Sequence, residues 1–281
     1  MPYKIQQIEC DGEHQWAVLS CSCNLTDAND LLILDTVVIV RKSYGEDAVV
    51  QDAQDLMADE IAGGTFDLSL LKTAARMGMP DPDAEGNKPQ QLTNYRSQAA
   101  EMLAKRALAK AYNIQYPVAA QETIGNANQP ILGFDGWGIS KEDDGQYTLV
   151  LIQVKATDQK RQPLSEAIKL VEECRRVPRN PSAIARALTS MQILLKSLDN
   201  EMLRRATLRM LEGLGGEQLP NMYISPAIIR GTTTSSIDDL QPIRAAVADF
   251  TPAISRGVSV SIGVALDEFG RIVMQRARNA T

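Results

Sequence analysis

The sequence contains a single histidine among 281 residues, and this scarcity excludes several kinds of chemistry. Ser-His-Asp hydrolases, HNH-type nucleases, zincins and most enzymes with a histidine general base need at least one well-placed imidazole. His14 lies in a polar stretch, residues 11–15, that is typical of a solvated turn. We therefore expect any catalysis to depend on carboxylates, lysine, hydroxyl groups or a metal held by oxygen atoms.

Cysteines and aromatic residues are also scarce. The four cysteines are too few for a disulfide framework in a chain of this length, and the C-x-C pair at residues 21 and 23 does not have the repeated spacing of a structural zinc site. We therefore expect ordinary reduced cysteines. Aromatic residues make up 5% of the chain, which disfavours stacking platforms for single-stranded nucleic acid.

No stretch of the sequence is apolar for long enough to span a membrane. Asp35 interrupts the longest apolar run, residues 31–40, and the first residues are not followed by the apolar core of a signal peptide. The sequence therefore predicts a soluble, cytoplasmic protein that does not associate with membranes.

The charge is distributed unevenly along the chain. The net charge is −6, but residues 1–92 carry 6 basic and 16 acidic side chains, whereas residues 93–281 carry 23 basic and 19 acidic ones. A loop with three prolines at residues 80–89 separates the two parts. We predict an acidic N-terminal α+β region over 1–92 and a second domain over 93–281. The acidic region is expected to dock a protein partner or cover the active site; alternatively, its strands complete the sheet.

The hydrophobic pattern predicts an α/β fold with a central mixed sheet flanked by helices. Strands are predicted at residues 16–19, 31–40, 116–124, 130–139, 147–154, 221–229 and 257–265. Helices are predicted at residues 48–61, 68–77, 93–111 with Thr93 as N-cap, 163–176, one or two within 183–213, and near 240–250. The Asp-Gly pair at residues 144–145 predicts a tight hairpin between two strands.

Three polar residues converge around this hairpin. Asp135 lies at the strand before it, and Gln153 and Lys155 end the apolar strand after it. Residues two apart on a strand point to the same face, so Gln153 and Lys155 should lie side by side near Asp135. Glu101, on the helix that precedes these strands, is the only acidic residue between 93 and 121 and is the candidate for a second carboxylate at the site. Glu122 is the alternative candidate for that role.

These residue types suit metal-assisted hydrolysis of a phosphodiester. Mg²⁺, or Mn²⁺ as its substitute, prefers oxygen ligands. The Asp135 carboxylate, the Gln153 amide and the Val154 carbonyl offer three such oxygens. Lys155 is placed to orient the attacking water or to neutralise charge in the transition state. This chemistry requires no histidine.

The Phe134-Asp135-Gly136 segment and the Gln153-Val154-Lys155 segment together resemble the motif of the PD-(D/E)xK nuclease superfamily. The Q-x-K form is similar to Mrr-type restriction endonucleases and anti-phage effector nucleases, and the length and late strands are similar to the nuclease subunit of Hachiman-type defence systems. The resemblance covers residues 93–180 or so. It departs from the usual motif in two places, because Gln153 stands where an acidic residue is usual and Phe134 where a proline is usual.

The resemblance implies a restriction-endonuclease-like core and a site whose residues can be carried over by position. It implies catalytic roles for Glu101, Asp135, Gln153 and Lys155. The metal ligands would be Asp135, Gln153, Val154 and Glu101, with Mg²⁺ as the cofactor. The basic residues around the site, Lys105, Arg106 and Lys110 before the motif and seven more from Lys155 to Arg179, would then contact a phosphate backbone.

By this resemblance the chain is a Mg²⁺-dependent nuclease of DNA, the effector of a bacterial anti-phage or restriction system. The sequence has no G-x4-G-K-[ST] motif, so a helicase or other defence protein would have to supply any ATP-driven step. The alternative is a catalytically silent module of the same fold that binds nucleic acid or a protein, with Gln153 as the sign of decay. DNA or RNA, endo- or exonuclease action, sequence preference and oligomeric state stay open.

Overall fold

The computed structural model describes residues 2–58, 65–83, 95–114, 124–126, 129–130, 134–195 and 201–279. The strands are β1 (Lys4–Asp11), β2 (His14–Ser20), β3 (Ile124–Asn126), β4 (Gln129–Pro130), β5 (Gly136–Lys141), β6 (Tyr147–Thr157), β7 (Met222–Arg230) and β8 (Ile254–Ser261). The helices are α1 (Leu31–Ser43), α2 (Glu46–Ala58), α3 (Leu68–Met77), α4 (Tyr95–Tyr112), α5 (Ser165–Arg176), α6 (Pro181–Leu195), α7 (Glu201–Gly215), α8 (Gln241–Ala245) and α9 (Leu266–Asn279). Among these helices, none has both the length and the apolar character that crossing a bilayer requires.

Six strands form one mixed sheet in the order β1-β2-β8-β7-β6-β5, and β3 pairs with β4 apart from it. The four inner strands run parallel to one another, and each of the two edge strands runs antiparallel to its neighbour. This architecture confirms the predicted α/β class with a mixed sheet between helices.

Helices cover both faces of this sheet, which explains the apolar runs in its inner strands. Every residue of β7 is buried, as is the first part of β6 after Tyr147. Val150 and Ile152 of β6 pack into one core with residues of α1, α4 and α9. Leu149 and Leu151 face the opposite core, which contains residues of α5 and α6. The alternation along β6 therefore assigns each of its side chains to one face.

The predicted strand over 31–40 is wrong, because these residues form most of helix α1. The Asp30 side chain accepts hydrogen bonds from the backbone N–H groups of Leu32 and Ile33, which begins the helix. The buried apolar residues are spaced helically, whereas Leu31, Leu34 and Val38 are exposed. The β-branched composition of the run suggested a strand, but its cap and its burial pattern belong to a helix.

The first 92 residues contribute to the same sheet as the rest of the chain. β2 pairs in parallel with β8 over six residues, and β1, which the sequence analysis does not predict, extends the sheet beyond β2. Residues of α1 share a hydrophobic core with residues of α4 and α9. The strand pairing therefore favours the alternative in which the acidic region completes the sheet. Thr93, Glu122 and most of the predicted strand 116–124 lie outside the described residues.

Candidate active site

The candidate site lies at the start of β5, where β6 continues beyond the residues that pair with β5. β5 pairs with β6 from Gly136 opposite Ile152 to Lys141 opposite Tyr147, and β6 runs on to Thr157. Asp135 immediately precedes β5. Its backbone N–H donates to the Ile152 carbonyl at 3.1 Å, and its Oδ2 accepts a hydrogen bond from the Val154 N–H at 2.7 Å. The Asp135 carboxylate thus accepts a hydrogen bond from the β6 backbone at the point where the β5 backbone no longer pairs with it.

The backbone N–H of Val154 points to Asp135. The side chains of Gln153 and Lys155, its neighbours on β6, project to the face of the sheet opposite to the Val154 side chain. The N–H and C=O groups of one strand residue point to the same edge, so the Val154 carbonyl lies on the Asp135 side of β6. Gln153 is buried, with 5% of its surface exposed, and Lys155 is half-buried. Both belong to the alternating set of Leu149 and Leu151, which faces α5. Gln153 and Lys155 share a face, as the sequence analysis predicts.

Helix α4 brings two charged residues to the site from the other face of the sheet. Glu101 and Lys105 are four residues apart and lie on the same side of the helix. The Lys105 side chain passes over Gly136: its Cε would be 2.6 Å, and its Nζ 3.2 Å, from a Cβ atom at that residue. Glu101 is half-buried, and the charge of Asp135 acts on it. Helix α4 thus brings Glu101 within reach of the charge of Asp135.

The site contains two acids, Glu101 and Asp135, whose negative charge is only partly compensated by the positive charge of nearby lysines. Burial and then the charge of Asp135 raise the pKa of Glu101 to about 8, and the Lys105 ammonium lowers it in part. Burial also raises the pKa of Asp135, against the Val154 N–H and the charges of Lys155 and Lys105, which lower it. At neutral pH the two carboxyl groups therefore retain a proton more readily than exposed acids do.

A residue that the sequence analysis did not select, Glu173 on α5, binds Lys155. The Lys155 Nζ lies 2.6 Å from Oε1 of Glu173, and the two side chains are 25% and 34% exposed. The Oε2 atom of Glu173 is buried and has no hydrogen-bond partner among the described residues. The sequence holds a weak signal for this contact. On a helix whose buried residues include Leu170 and Cys174, position 173 lies close to the face that packs on the sheet.

The donor set suits a hard cation in chemistry, although no three carboxylates gather in one place. Within the described part of the chain, no group of three or more His, Cys, Asp or Glu side chains is arranged to hold a metal ion. The candidate oxygens are the Glu101 carboxylate from the α4 face, the Asp135 carboxylate and the Val154 carbonyl at the edge of β6, and the Gln153 amide, which projects to the α5 face. Such mixed oxygen ligands are those that Mg²⁺ accepts. Burial is the main cause of the raised pKa of both acids, and at Glu101 the negative charge of Asp135 adds to it.

Several basic residues that the sequence analysis assigned to phosphate contacts form ion pairs within the protein. Arg106 lies 2.7 Å from Asp35, Arg175 lies 2.6 Å from Asp249, and Lys169 lies 2.7 Å from Glu166.

Two clefts, of about 910 and 660 Å³, lie at the 144–147 turn beside α7 and at the end of α4, and neither contains Asp135. Neither of these two clefts therefore belongs to the candidate site.

No protein-family model and no curated protein matches this chain. The resemblance to the PD-(D/E)xK nucleases is therefore a prediction from the sequence around Asp135, Gln153 and Lys155.

Proposed function

We propose that this protein is a Mg²⁺-dependent nuclease that hydrolyses phosphodiester bonds of DNA and has a restriction-endonuclease-like core. The observation that carries the proposal is the hydrogen bond from the Val154 N–H to the Asp135 carboxylate, beyond the last residue pair of β5 and β6. This bond fixes an acidic side chain beside the strand segment that bears Gln153 and Lys155. Glu101 approaches the same carboxylate from α4.

The order of elements supports the nuclease fold. A long helix with a glutamate, a hairpin that begins after an aspartate, a buried strand that contains the polar pair, and a second helix occur in this order as α4, β5, β6 and α5, with the short strands β3 and β4 between α4 and β5. The two helices contact opposite faces of β6, so side chains from both faces reach its edge. This is the arrangement that the resemblance implies for residues 93–180.

The site residues divide the work of hydrolysis among them. Glu101, Asp135, Gln153 and the Val154 carbonyl would hold the Mg²⁺, which when bound lowers the pKa of water and stabilises negative charge on the phosphate. The Val154 N–H keeps the Asp135 carboxylate at the strand edge. Lys155 provides the positive charge that orients the attacking water or neutralises the phosphorane oxygens.

The biological setting follows from the resemblance alone. We propose a role as effector of a bacterial anti-phage or restriction system, with a helicase or another defence protein as partner. The exposed Lys110 on α4 and Arg176 on α5 support a DNA substrate, and RNA is the second substrate to test.

Two observations favour the alternative of a catalytically silent module. Gln153 is neutral where a carboxylate would bind a cation more strongly. Glu173 also forms a 2.6 Å ion pair with the Lys155 ammonium group. This ion pair would have to break or rearrange before Lys155 could contact a phosphate. A silent protein would bind nucleic acid or a protein partner without cutting.

Cleavage of supercoiled plasmid, linear DNA and RNA by the full-length protein tests the proposal, with Mg²⁺, Mn²⁺ or EDTA added. We expect metal-dependent cleavage that falls about 100-fold or more in Asp135→Asn and in Lys155→Met. Asp143→Asn in the exposed hairpin turn and Lys42→Met at an exposed position on α1 are matched controls that should cut at the wild-type rate. Cleavage that persists unchanged in both site variants would refute the assignment. Binding without cleavage under every condition would support the silent module.

A further inference from the structure

The cleft at the end of α4, of about 660 Å³, has the size of a small-molecule site, for which about 300–1,000 Å³ is typical. It is lined by Tyr3 before β1, Asp35 of α1, Arg106 and residues 109–114 at the end of α4, and Arg256 of β8. Lys105 of α4 passes over Gly136, the first residue of β5. Its neighbour Arg106 instead reaches α1, where it pairs with Asp35 at 2.7 Å. The cleft and the candidate site therefore lie on different sides of α4.

The lining of this cleft is cationic, although the net charge of the protein is −6. It includes Arg106, Lys110 and Arg256, and one carboxylate among the described residues, that of Asp35. The Asp35 Oδ1 atom already binds Nη2 of Arg106, and Oε2 of Glu142 lies 3.6 Å from Nη2 of Arg256, beyond a direct hydrogen bond. These pairs leave positive charge at the cleft that would attract a second anion.

Three hydrogen-bond donors in the side chains that line the cleft have no partner within the described part of the chain. They are the Tyr3 hydroxyl and the Nε–H groups of Arg106 and Arg256, and all three atoms are buried. Tyr3 as a whole is only 5% exposed. A buried donor without a partner is unfavourable, and native proteins pair nearly all such groups. Phosphate oxygens accept several hydrogen bonds and would supply these partners after small rotations of the side chains.

The remainder of the lining suits an uncharged ring. Tyr3, Tyr112 and Ile114 contribute aromatic and apolar surface. The Cζ atom of Arg256 lies 3.7 Å from the ring centroid of Tyr223 and 5.9 Å from that of Tyr112, so the guanidinium group is held in place by stacking. Inorganic phosphate alone would fill only a small part of the cleft. A ligand that joins a phosphate to a ring would match both parts of the lining.

We propose that this cleft binds a small phosphorylated molecule with a ring system, of the size of a nucleoside monophosphate. The phosphate would lie among Arg106, Lys110 and Arg256, and the ring would contact the two tyrosines. The proposal does not rest on the proposed function, because none of the residues assigned to the metal lines the cleft.

Two other occupants compete with this ligand. Ordered water could satisfy the same buried donors without any need for the positive charge. The backbone of a nucleic acid carries the same phosphate chemistry, and the exposed Lys110 could serve either ligand. Aromatic surface beside the positive charge, on the side of α4 away from the candidate site, favours the small molecule.

Calorimetry of the full-length protein with deoxyadenosine monophosphate tests the proposal, in EDTA so that no divalent cation contributes. We expect binding that weakens as salt is added and that is about tenfold weaker in Arg256→Met, because a charged hydrogen-bond donor is lost. Inorganic phosphate should compete, and deoxyadenosine, which has no phosphate, should bind at least about tenfold more weakly. Arg205→Met, at an exposed position beside the other cleft, is the matched control and should bind as the wild type does.

Two further variants keep the proposal testable if Arg256→Met does not fold. Tyr3→Phe removes only the buried hydroxyl and should weaken binding about threefold or more, since one hydrogen bond to the phosphate is lost. Ala109→Leu places a larger side chain where α4 lines the cleft and should abolish binding by occupying it. Wild-type affinity in both variants would overturn the proposal.

The remaining outcomes identify the competing occupants. A wild-type protein that binds neither deoxyadenosine monophosphate nor inorganic phosphate overturns the proposal and favours water. Binding that is lost in Lys155→Met but kept in Arg256→Met assigns the nucleotide to the candidate site and overturns the proposal as well. Binding of an oligonucleotide without terminal phosphates, but not of the mononucleotide, assigns the cleft to a nucleic-acid backbone. None of these results depends on cleavage, so the proposed function stands or fails separately.

Discussion

Replacement of Glu101 by glutamine should stabilise the metal-free protein, and only at high pH. The pKa of this carboxyl rises from 4.5 to about 8 in the folded protein, mainly through burial and then through the charge of Asp135. Above pH 4.5 the unfolded chain releases this proton while the folded protein keeps it. The contribution of Glu101 to stability is therefore full below pH 4.5 and is lost as the pH rises to about 8. Glutamine keeps the shape of the protonated acid and removes this loss.

The raised pKa sets the size of the expected effect. A rise from 4.5 to about 8 corresponds to at most about 5 kcal/mol at 1.36 kcal/mol per pH unit. Because Glu101 is only half-buried and shares its titration with Asp135, we expect about 2 kcal/mol at pH 9. At pH 4 the wild type and Glu101→Gln should be equally stable.

Urea unfolding in EDTA at pH 4, 7 and 9, followed by circular dichroism, measures this difference. Glu212→Gln, at an exposed position on α7, is the control and should show no gap that grows with pH. The reasoning would be refuted by a variant that is less stable than the wild type at pH 9, or by a gap of the same size at pH 4 and pH 9. Either result would mean that Glu101 is ionised without penalty in the folded protein.

Three further predictions concern the surroundings of the site. Glu173→Gln removes the partner of a half-buried Lys155 and should lower the free energy of unfolding by about 1–2 kcal/mol, measured by urea unfolding at pH 7; no loss would show that the 2.6 Å pair is not stabilising. Gln153→Glu should bind Mn²⁺ at least as tightly as the wild type and Gln153→Ala more weakly; equal affinities in calorimetry would place this side chain away from the cation. Deletion of residues 1–88 should give insoluble protein, because it removes β2 and leaves one edge of β8 unpaired; a soluble fragment with raised cleavage would instead support an acidic region that covers the site.

Local patterns in the sequence were sufficient for the elements that hold the site. Helix α5 begins two residues after its predicted start and ends at the predicted residue, and the Asp-Gly turn does join β5 to β6, with Gly145 at a φ of 81° that favours glycine. The strand alternation was enough to place Gln153 and Lys155 on one face. Each of these features depends on residues within a few positions of one another, where the chemistry of caps, turns and alternation operates.

Features that depend on packing between distant segments were not predictable in the same way. The run 31–40 has the composition of a strand, and only its contact with α4 and α9 decides which of its residues are buried. Glu172 and Glu173 are adjacent and chemically equal in the sequence. The rotation of α5 against the sheet places Glu173 on Lys155 and Glu172 on Arg175. The passage of Lys105 over Gly136 likewise joins two elements that are 31 residues apart in sequence.

The charge division at residue 92 shows the same limit of local evidence. Eight of the thirteen acidic residues that the structure describes in the first region are exposed, so they describe its solvent-facing side and say little about which strands it contributes. β2 has an apolar centre, residues 16–19, that is buried against both neighbours, and its partner β8 lies more than 230 residues further along the chain. The predicted boundary at this point was based on net charge, which carries no information about strand partners.

The position of the site at the edge of a sheet gives its two lysines different surroundings. Lys155 projects to the α5 face and meets Glu173, whereas Lys105 comes from the α4 face and acts on Glu101 and Asp135. On the proposed function, a phosphate that approaches the edge of β6 would meet positive charge from both faces. Binding of that phosphate would compete with Glu173 for Lys155, because both are anions that need the same ammonium group. The ion pair is therefore the contact that has to give way when substrate binds, and Glu173→Gln would remove the competitor without altering Lys155.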